Sequence, residues 1–354
     1  MYLSASQLDR YAATIQKTAK WARDNAEKLL AEKDLQAHYK APYFWNSVGD
    51  PQRAGMWRKL VGERFLQADG DFRTAADLKG FISFPATLTN QYIYSNGWLI
   101  AGMIKLGAYD IAHKGLAFVE KFQDPKLGGC YYAFDPRTQV IDKRLLDSSS
   151  TSAAGLAFLA CGRLAEARKA GDFLLRLLEL QPHPDEFFFS CMTQDGGVYT
   201  DVMKSENQWD EGSRKQKCLS AKEDAHNELT WLIGKPNKFL TRLYTATGEG
   251  KYLEAAKVCF EFFHKLDDRK WTNYASCKTM WSGAEMYRIT GEKRYAETAT
   301  KLLDFYCQTQ AASGSWVHTL WYKDEAAQSF PWTADITCEY GAEFSDVVYE
   351  LSSR

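Results

Sequence analysis

Several motifs that mark common active sites are missing from this sequence. Neither the GxGxxG nor the GxxxxGK(S/T) pattern occurs, so a glycine-rich loop that holds phosphate groups is not expected. The GxSxG turn of many serine hydrolases is absent as well. An active site must therefore be sought from other patterns.

Strong charge and long apolar runs are also missing. The net charge is -1, which gives no long-range reason to expect nucleic acid or an anionic membrane as a partner. No run approaches the ~18 continuous apolar residues of a membrane-spanning helix. Residues 1–16 lack the basic-then-apolar profile of a signal peptide. We therefore expect a soluble cytoplasmic protein whose partner is a small molecule.

The eight cysteines lack the spacing of a disulfide framework or of a metal site. No CxxC pair and no cysteine–histidine cluster occurs, and most of the cysteines lie among apolar residues, where a free cysteine behaves as a small hydrophobic residue. This pattern favours a reducing compartment. It also argues against structural zinc, and we expect neither a metal ion nor another cofactor.

One stretch of the chain occurs twice. Residues 243–263 recur as residues 286–306, so that Gly248 aligns with Gly291. Each copy predicts a helix that ends at the glycine, a short turn, and a second helix with apolar residues at three- and four-residue spacing. Because one helical hairpin cannot bury its apolar face alone, we expect such hairpins to stack.

Helical patterns extend along most of the chain. With 45% hydrophobic and 14% aromatic residues the chain can build a large core, and no linker divides it, so we predict one domain over residues 1–354. Glycine-led strands or hairpins are predicted at Gly128, Gly196 and Gly314. Residues 38–48 are predicted as an aromatic loop. Apolar periodicity predicts helices over residues 6–30, 51–66, 85–106, 111–122, 148–161, 166–180 and 335–351.

This organisation resembles the (α/α)6 toroids, a class that includes glycoside hydrolases, polysaccharide lyases, unsaturated glucuronyl hydrolases and N-acylglucosamine 2-epimerases. The resemblance rests on helix, Thr-Gly turn and helix followed by a glycine-and-aromatic hairpin, and it covers most of the chain from about residue 85. Residues 128–142 look like the strand hairpin of epimerase-type toroids. Asp147 followed by three serines is similar to the helix start of glucuronyl hydrolases.

The resemblance implies an all-α (α/α)6 toroid with short β-hairpins at one rim. In such a toroid the loops that join the helix pairs surround a central cavity, so site residues are expected in these loops and at the helix starts after them. The paired histidines and arginine clusters typical of the epimerases are not evident here, and no single family's functional residues are all matched. The same shape also serves terpenoid cyclases, so the fold alone does not choose a reaction.

Two acidic segments that precede the repeated stretch are candidates for the active site. Asp147 is placed to cap a helix, and as an alternative it could act as a general acid. In residues 206–211 carboxylates flank Trp209. An indole face can carry a sugar ring while Asp210 takes part in acid/base work. The plain alternative is a solvated acidic loop anchored by Trp209.

Residues 223–228 are predicted to begin the next helix. On a helix Glu228 and Asp224 would share a face and His226 would point away from both. A histidine ordinarily titrates near neutral pH, so His226 could transfer protons, although a lone histidine near a helix start is more often structural. Glu228 precedes an apolar stretch, which suggests a carboxylate that enters an inner helix.

The last candidate group combines a hairpin and a helix start. Strand alternation would put Trp316 and His318 on one face of the hairpin, and Asp335 and Glu339 are four residues apart on one predicted helix face. These groups could form an acid/base site beneath aromatic walls. The alternative is that Thr333 or Asp335 caps the helix and Glu339 lies at the surface.

We therefore expect an enzyme that acts on a sugar or glycan fragment by metal-independent acid/base chemistry, either glycoside hydrolysis or epimerisation. The alternative is a cyclase or isomerase of an apolar terpenoid or polyketide, which uses a carboxylic acid in an aromatic-lined cavity. The DDxxD motif of ionisation-dependent terpene synthases is absent. The candidate catalytic residues are Asp147, Asp210, His226, Glu228, His318, Asp335 and Glu339, and the candidate substrate-binding residues are Trp98, Tyr131, Trp209, Trp316, Trp321 and Trp332.

Overall fold

A computed structural model of the chain describes residues 2–74, 89–135, 138–204 and 215–353. In chain order the α-helices of these residues are α1 (Ala5–Asp24), α2 (Ala26–Ala31), α3 (Ala41–Ser47), α4 (Pro51–Leu60), α5 (Tyr94–Lys105), α6 (Tyr109–Glu120), α7 (Ser148–Ala160), α8 (Leu164–Glu179), α9 (Trp231–Thr247), α10 (Gly250–Lys265), α11 (Cys277–Thr290), α12 (Lys293–Thr309) and α13 (Phe330–Ser352). The strands are β1 (Thr89–Asn90), β2 (Cys130–Asp135), β3 (Val140–Asp147), β4 (Phe187–Phe189), β5 (Cys191–Thr193) and β6 (Cys218–Ser220).

The chain divides into two compact units. Unit 1 comprises Met1–Pro85, Ser95–Phe118 and Gly283–Arg354, and unit 2 comprises Ala86–Tyr94 and Val119–Ser282. Unit 1 is built from helices, and it holds the first four helices and α13. Unit 2 combines helices with the strands. The prediction of one domain over residues 1–354 stays a prediction.

The repeated segments form the predicted helical hairpins. In unit 2 the turn between α9 and α10 is made at Gly248, which has a φ of 70°. In unit 1 the turn between α11 and α12 is made at Gly291, with a φ of 78°. Each glycine donates its N–H to the carbonyl four residues earlier, at 2.7 Å from Tyr244 and 2.8 Å from Tyr287. This left-handed helix end satisfies a carbonyl that would otherwise lack a partner.

A small antiparallel sheet in unit 2 determines where α7 begins. Its strand order is β1-β2-β3-β5, and the β2–β3 hairpin confirms the prediction for residues 128–142. Asp147 is the last residue of β3 and opposes Cys130. The chain leaves the sheet at Asp147 and enters α7 directly, so the sheet fixes the position of this carboxylate.

The N-terminal segments of unit 1 correct one prediction. The helix expected over residues 6–30 is present, although Asn25 interrupts it between α1 and α2. The aromatic loop expected over residues 38–48 is wrong, because most of these residues form the helix α3. Residues 41–45 are all buried, so packing of the aromatic side chains outweighs their modest helix propensity.

Three further expectations about boundaries are wrong. The helix predicted over residues 85–106 begins only at Tyr94, because Gln91 has a φ of 52°, which a right-handed helix does not allow. Its first part, with residues 75–88, lies outside the described residues. The segment after Gly196 makes one isolated bridge rather than a strand. The segment after Gly314 contains no strand in the described structure, and its residues are held by side chains instead.

The helix expected to begin near residue 223 begins at Trp231. Residues 225–227 form a short 3-10 turn, and Asp224 accepts the N–H of His226 at 3.0 Å. The amide of Asn273 donates to the carbonyls of Ala225 (2.5 Å) and Glu228 (2.8 Å). Asn273 thus holds this short turn from 45 or more positions later in the chain, and regular α-helix begins only at Trp231.

Candidate active site

The candidate site in unit 1 is organised by helix α13. Trp332, Asp335 and Glu339 project from one face of this helix, since their spacing of three and four residues returns to the same side. Asp335 is 3% exposed and Glu339 is 8% exposed. The alternatives that Asp335 caps the helix and that Glu339 lies at the surface are therefore both wrong. The helix begins earlier, at Phe330, with Ser329 in the cap position.

A lysine that the sequence did not single out holds the two carboxylates together. The ammonium of Lys40 lies 2.5 Å from Asp335 Oδ1 and 2.5 Å from Glu339 Oε2. Gln36 adds a hydrogen bond from its Nε2 to Asp335 Oδ2 at 3.3 Å. All of these side chains are buried, so the ion pairs are poorly screened by solvent. We call Lys40, Asp335, Glu339 and His318 the Lys40 cluster.

Burial and neighbouring charges act on Asp335 in opposite directions. Loss of solvent raises the pKa of Asp335 to about 6, with a further increase from the Glu339 carboxylate and an opposing decrease from Lys40. A carboxyl group in this range exchanges its proton near neutral pH. General acid and base catalysis is most efficient when the pKa of the catalytic group is close to the working pH.

His318 belongs to the same cluster, although it does not lie on a strand. Its backbone N–H donates to Gln328 Oε1 at 2.9 Å, and the Gln328 amide also donates to Thr333 Oγ1 at 3.1 Å in the first turns of α13. Burial lowers the pKa of His318 to about 4, while Glu339 acts to raise it and Lys40 to lower it. The imidazole is therefore neutral at pH 7.

An aromatic layer covers the imidazole. The ring of His318 stacks on Trp321 with a centroid distance of 4.0 Å and an interplanar angle of 14°. Trp332 follows at 5.0 Å from Trp321, and Tyr322 lies 6.0 Å from Trp332. Trp321 is 48% exposed. We call Trp321, Tyr322 and Trp332 the aromatic platform, which offers a solvent-accessible indole next to buried acid/base groups.

Two other predicted aromatic residues of unit 1 have different surroundings. Trp98 lies 5.9 Å from the Lys40 ammonium and packs edge-on against Tyr43 at 5.5 Å, so it borders the Lys40 cluster. Trp316 is fully buried, and its indole N–H donates to the carbonyl of Tyr306 at 2.9 Å. Trp316 is therefore placed in the core.

Asp147 in unit 2 caps helix α7, as one of its two interpretations required. Its Oδ2 accepts the N–H groups of Ser149 (2.8 Å) and Ser150 (3.0 Å). The side chain is 1% exposed, and burial raises the pKa of Asp147 to about 6 against the lowering effects of these hydrogen bonds and of Lys235. A catalytic role for Asp147 stays a prediction.

The remaining predicted residues of unit 2 have contacts within the fold. Glu228 is 1% exposed and accepts the N–H of Ser220 at 3.0 Å, in an extended segment before α9 rather than on it. The Tyr131 hydroxyl donates to Asp124 Oδ2 at 2.5 Å. His226 is partly exposed in its short 3-10 turn. Trp209 and Asp210 lie outside the described residues.

One weak signal of Lys40 is present in the sequence. Lys40 stands between Tyr39 and the aromatic run of α3, and a charge in such surroundings requires compensation when it is buried. The partners that compensate its charge lie far along the chain, and Glu339 is 299 positions away. No local pattern therefore identifies them. The expectation that the protein needs neither a metal ion nor a cofactor stays a prediction.

Solved structures with the same fold confirm the fold class. D-mannose isomerase superposes with a TM-score of 0.67 and 13% identity, and the match covers 99% of this chain and 98% of the isomerase. A family 76 α-mannanase of Bacteroides thetaiotaomicron follows with a TM-score of 0.63, 13% identity and 96% coverage of both chains. A type II terpene cyclase from Scytonema, solved with geranylgeranyl dihydroxybenzoate, gives 0.56 and 11% identity, with 98% and 100% coverage.

The protein therefore has the (α/α)6 toroid fold, mostly helical with a few short strands. No protein-family model matches the sequence, and no curated protein sequence matches it. At these identities the likeness defines the fold and leaves the reaction to the residues of the site. Among the described residues, no helix combines the length and apolar character needed to cross a membrane.

Proposed function

We propose that this protein is an enzyme that acts on a sugar or a glycan fragment by acid/base chemistry. The observation that carries the proposal is the stack of the half-exposed Trp321 on the buried His318, with the carboxylates of the Lys40 cluster nearby. An exposed indole face can pack against the apolar face of a sugar ring. Asp335 then supplies a group whose pKa of about 6 suits proton transfer near neutral pH.

Within this class the geometry favours epimerisation or isomerisation over cleavage of a glycosidic bond. A glycosidase generally places two carboxyl groups on either side of the scissile bond. Here Asp335 and Glu339 share one ammonium, with each paired oxygen 2.5 Å from it, so Lys40 occupies the space between them. Proton transfer at a carbon next to an open-chain carbonyl needs no such gap between two carboxylates. The fold is shared with both D-mannose isomerase and a family 76 α-mannanase, so the choice rests on this arrangement of side chains.

A cyclase or isomerase of an apolar metabolite is the second candidate. The observation in its favour is Asp147, a carboxyl group with 1% exposure and a pKa raised to about 6, at the start of the small-residue helix α7. A buried carboxylic acid that keeps its proton can protonate an apolar substrate. The terpene cyclase with the same fold supports this alternative. Under either candidate we propose a cytoplasmic location, because none of the eight cysteines forms a disulfide in the described part of the chain.

The first experiment is a thermal-shift screen with two panels of compounds. One panel holds aldoses, ketoses, 2-acylamino sugars and uronic acids, and the other holds prenylated and polyketide-like compounds. A ligand at 100 times its Kd adds about 2.7 kcal/mol to the free energy of unfolding. The sugar proposal expects stabilisation by sugars, which weakens in Trp321→Ala and persists in Trp271→Ala, a tryptophan of unit 2 that also packs beside a histidine.

The reaction type is then tested in deuterium oxide. Epimerisation or isomerisation through proton abstraction incorporates solvent deuterium at the carbon next to the carbonyl, and proton NMR follows that signal. Incorporation by the parent and its loss in Asp335→Asn support the proposal. Stabilisation by the apolar panel alone would remove the sugar proposal and favour the cyclase.

A further inference from the structure

Lys40 is held in place by structure on both sides. The 3-10 turn Leu35–Ala37 precedes it, and Asp34 accepts the N–H of Gln36 in that turn at 2.9 Å. Helix α3 begins immediately after it, with a proline in its first turn. Lys40 is 3% exposed, which is rare for a lysine unless carboxylates compensate its charge. The backbone on both sides therefore holds Lys40 in place, and its ammonium lies against Asp335 and Glu339 of α13.

We propose that Lys40 is the positioning residue of the acid/base site, because its ammonium bridges Asp335 and Glu339 and thereby decides which group of the cluster carries the proton offered to the substrate. The role rests on the proposed function. The titrations that define it, however, can be measured without any substrate.

The charges of the cluster explain this role. One ammonium faces two carboxyl groups, so it balances the charge of only one of them. Burial and the Glu339 carboxylate raise the pKa of Asp335 to about 6, so Asp335 takes up a proton more readily than an ordinary aspartate does. Tyr39 and Gln36 hydrogen bond to Asp335 from the segment that carries Lys40, and Cys338 faces it from α13. His318 interacts with both Glu339 and Lys40.

Lys40 acts through these groups rather than on the substrate. Its ammonium is within 2.5 Å of a carboxylate oxygen on each side and 4.8 Å from the Tyr39 ring. The surface that reaches solvent belongs to the aromatic platform, where Trp321 is 48% exposed. A change at Lys40 should therefore alter protonation within the cluster and leave the platform unchanged.

The test compares Lys40→Met with Lys105→Met. Lys105 is an exposed lysine of the same unit, 4.5 Å from the Tyr43 ring, and it serves as the matched control. Carbon-13 NMR of labelled aspartate and histidine follows the titration of Asp335 and His318, with the signals assigned from Asp335→Asn and His318→Gln. Loss of the ammonium should raise the pKa of both groups by about 1 unit or more, since an opposite or like charge at this range shifts a pKa by that amount.

Glu339→Gln gives the opposite sign and keeps the test independent of the folding of Lys40→Met. Removing the Glu339 carboxylate should lower the pKa of both Asp335 and His318, because that carboxylate acts to raise each of them. Lys40→Arg should retain the parent titrations. If the two groups titrate as in the parent protein in folded Lys40→Met, or in Glu339→Gln, the positioning role is wrong.

With a substrate in hand, the pH profile of kcat/KM gives the second readout. Lys40→Met should move the limb of the profile that reports Asp335 to higher pH, whereas a purely structural lysine would lower the rate without moving that limb. If no sugar is turned over but the NMR titrations shift as expected, the proposed function fails and the control of protonation by Lys40 stands. If the titrations do not shift while a sugar is turned over, the inference about Lys40 fails alone.

Discussion

Trp321 covers His318, with the two rings 4.0 Å apart and nearly parallel. The indole thus excludes water from one face of the imidazole while its own outer surface reaches solvent. A ligand that packs on this surface would change the environment of an ionisable group without displacing it. Under the proposed function this contact would link substrate binding to proton transfer, and its effect on His318 can be tested directly.

We expect Trp321→Ala to raise the pKa of His318 from about 4 towards the ordinary histidine value near 6.5, because water gains access to the imidazole. Histidine NMR titration measures this. Trp321→Phe keeps a ring over the imidazole and should retain most of the lowered value. A pKa that stays near 4 in the alanine variant would show that the rest of the protein, not Trp321, excludes the solvent.

His38 is a second buried histidine, and we expect it to weaken the fold in acid. Its Nε2 lies 2.9 Å from the carbonyl oxygen of Glu32, its ring lies 5.1 Å from Phe65, and burial lowers its pKa to about 4. Between pH 6.5 and 4 the unfolded chain therefore binds more protons at this residue than the folded chain does. Stability falls as the pH decreases through that window, by about 3 kcal/mol in total.

The measurement is urea unfolding of the parent and of His38→Gln from pH 7.5 to 4. The glutamine keeps a donor for the Glu32 carbonyl and does not titrate, so the difference in unfolding free energy between parent and variant should shrink as the pH falls. Parallel curves for the two proteins would contradict the prediction. The comparison isolates His38 from the carboxyl groups that titrate in the same range.

Asp147 should show the opposite dependence. Its folded pKa of about 6 lies above the ordinary aspartate value, so its contribution to stability is present below about pH 4 and is lost as the pH rises to about 6. Asp147→Asn removes this titration and keeps an oxygen for the capping hydrogen bonds. Urea unfolding should show that the free energy of unfolding of the asparagine variant, relative to that of the parent, increases by about 3 kcal/mol between pH 4 and pH 7. Asp147→Ala removes the same titration but also the capping hydrogen bonds, so it should be about 1 kcal/mol less stable than Asp147→Asn.

The turn between α9 and α10 contains two neighbouring glycines, and we expect substitutions at them to have opposite effects on stability. At Gly248 an added Cβ would meet no other atom within 4 Å, so Gly248→Ala reports only the left-handed φ of 70°. We expect it to cost about 1 kcal/mol. Gly250 is equally uncrowded but begins α10 without a positive φ. Gly250→Ala should therefore increase the free energy of unfolding by about 0.5 kcal/mol. Thermal unfolding distinguishes the two, and equal effects would show that φ is not the cause.

The features that could be predicted from the sequence are local ones. The turns at Gly248 and Gly291 follow from a glycine after a helical period, and the strand hairpin before Asp147 follows from its glycine and aromatic residues. The helix start at Trp231 could not be predicted in the same way. It depends on Asn273, which reaches the carbonyls of residues far earlier in the chain.

The candidate site likewise combines features that are local in the sequence with features that are not. The spacing of Asp335 and Glu339 predicted a shared face, because both residues belong to one helix. Their ion pairs with Lys40 join distant parts of the chain, and burial rather than residue type sets the pKa of Asp335 and His318. Neither property can be derived from a short stretch of sequence.

The side chain of Gln328 has a consequence for how this protein could be redesigned. Its amide is bonded to the backbone of His318 and of Trp316, at 2.9 Å each, and to Thr333. These hydrogen bonds join the residues before segment 319–327 to the residues after it. The segment itself carries Trp321 and Tyr322. Residues 323–327 follow Tyr322 in this segment, and Glu325 among them accepts hydrogen bonds from the hydroxyls of Ser313 (2.6 Å) and Ser315 (2.7 Å). We therefore expect substitutions at the other residues of this segment, with Glu325 retained, to change the surroundings of Trp321 while Gln328 keeps His318 in place.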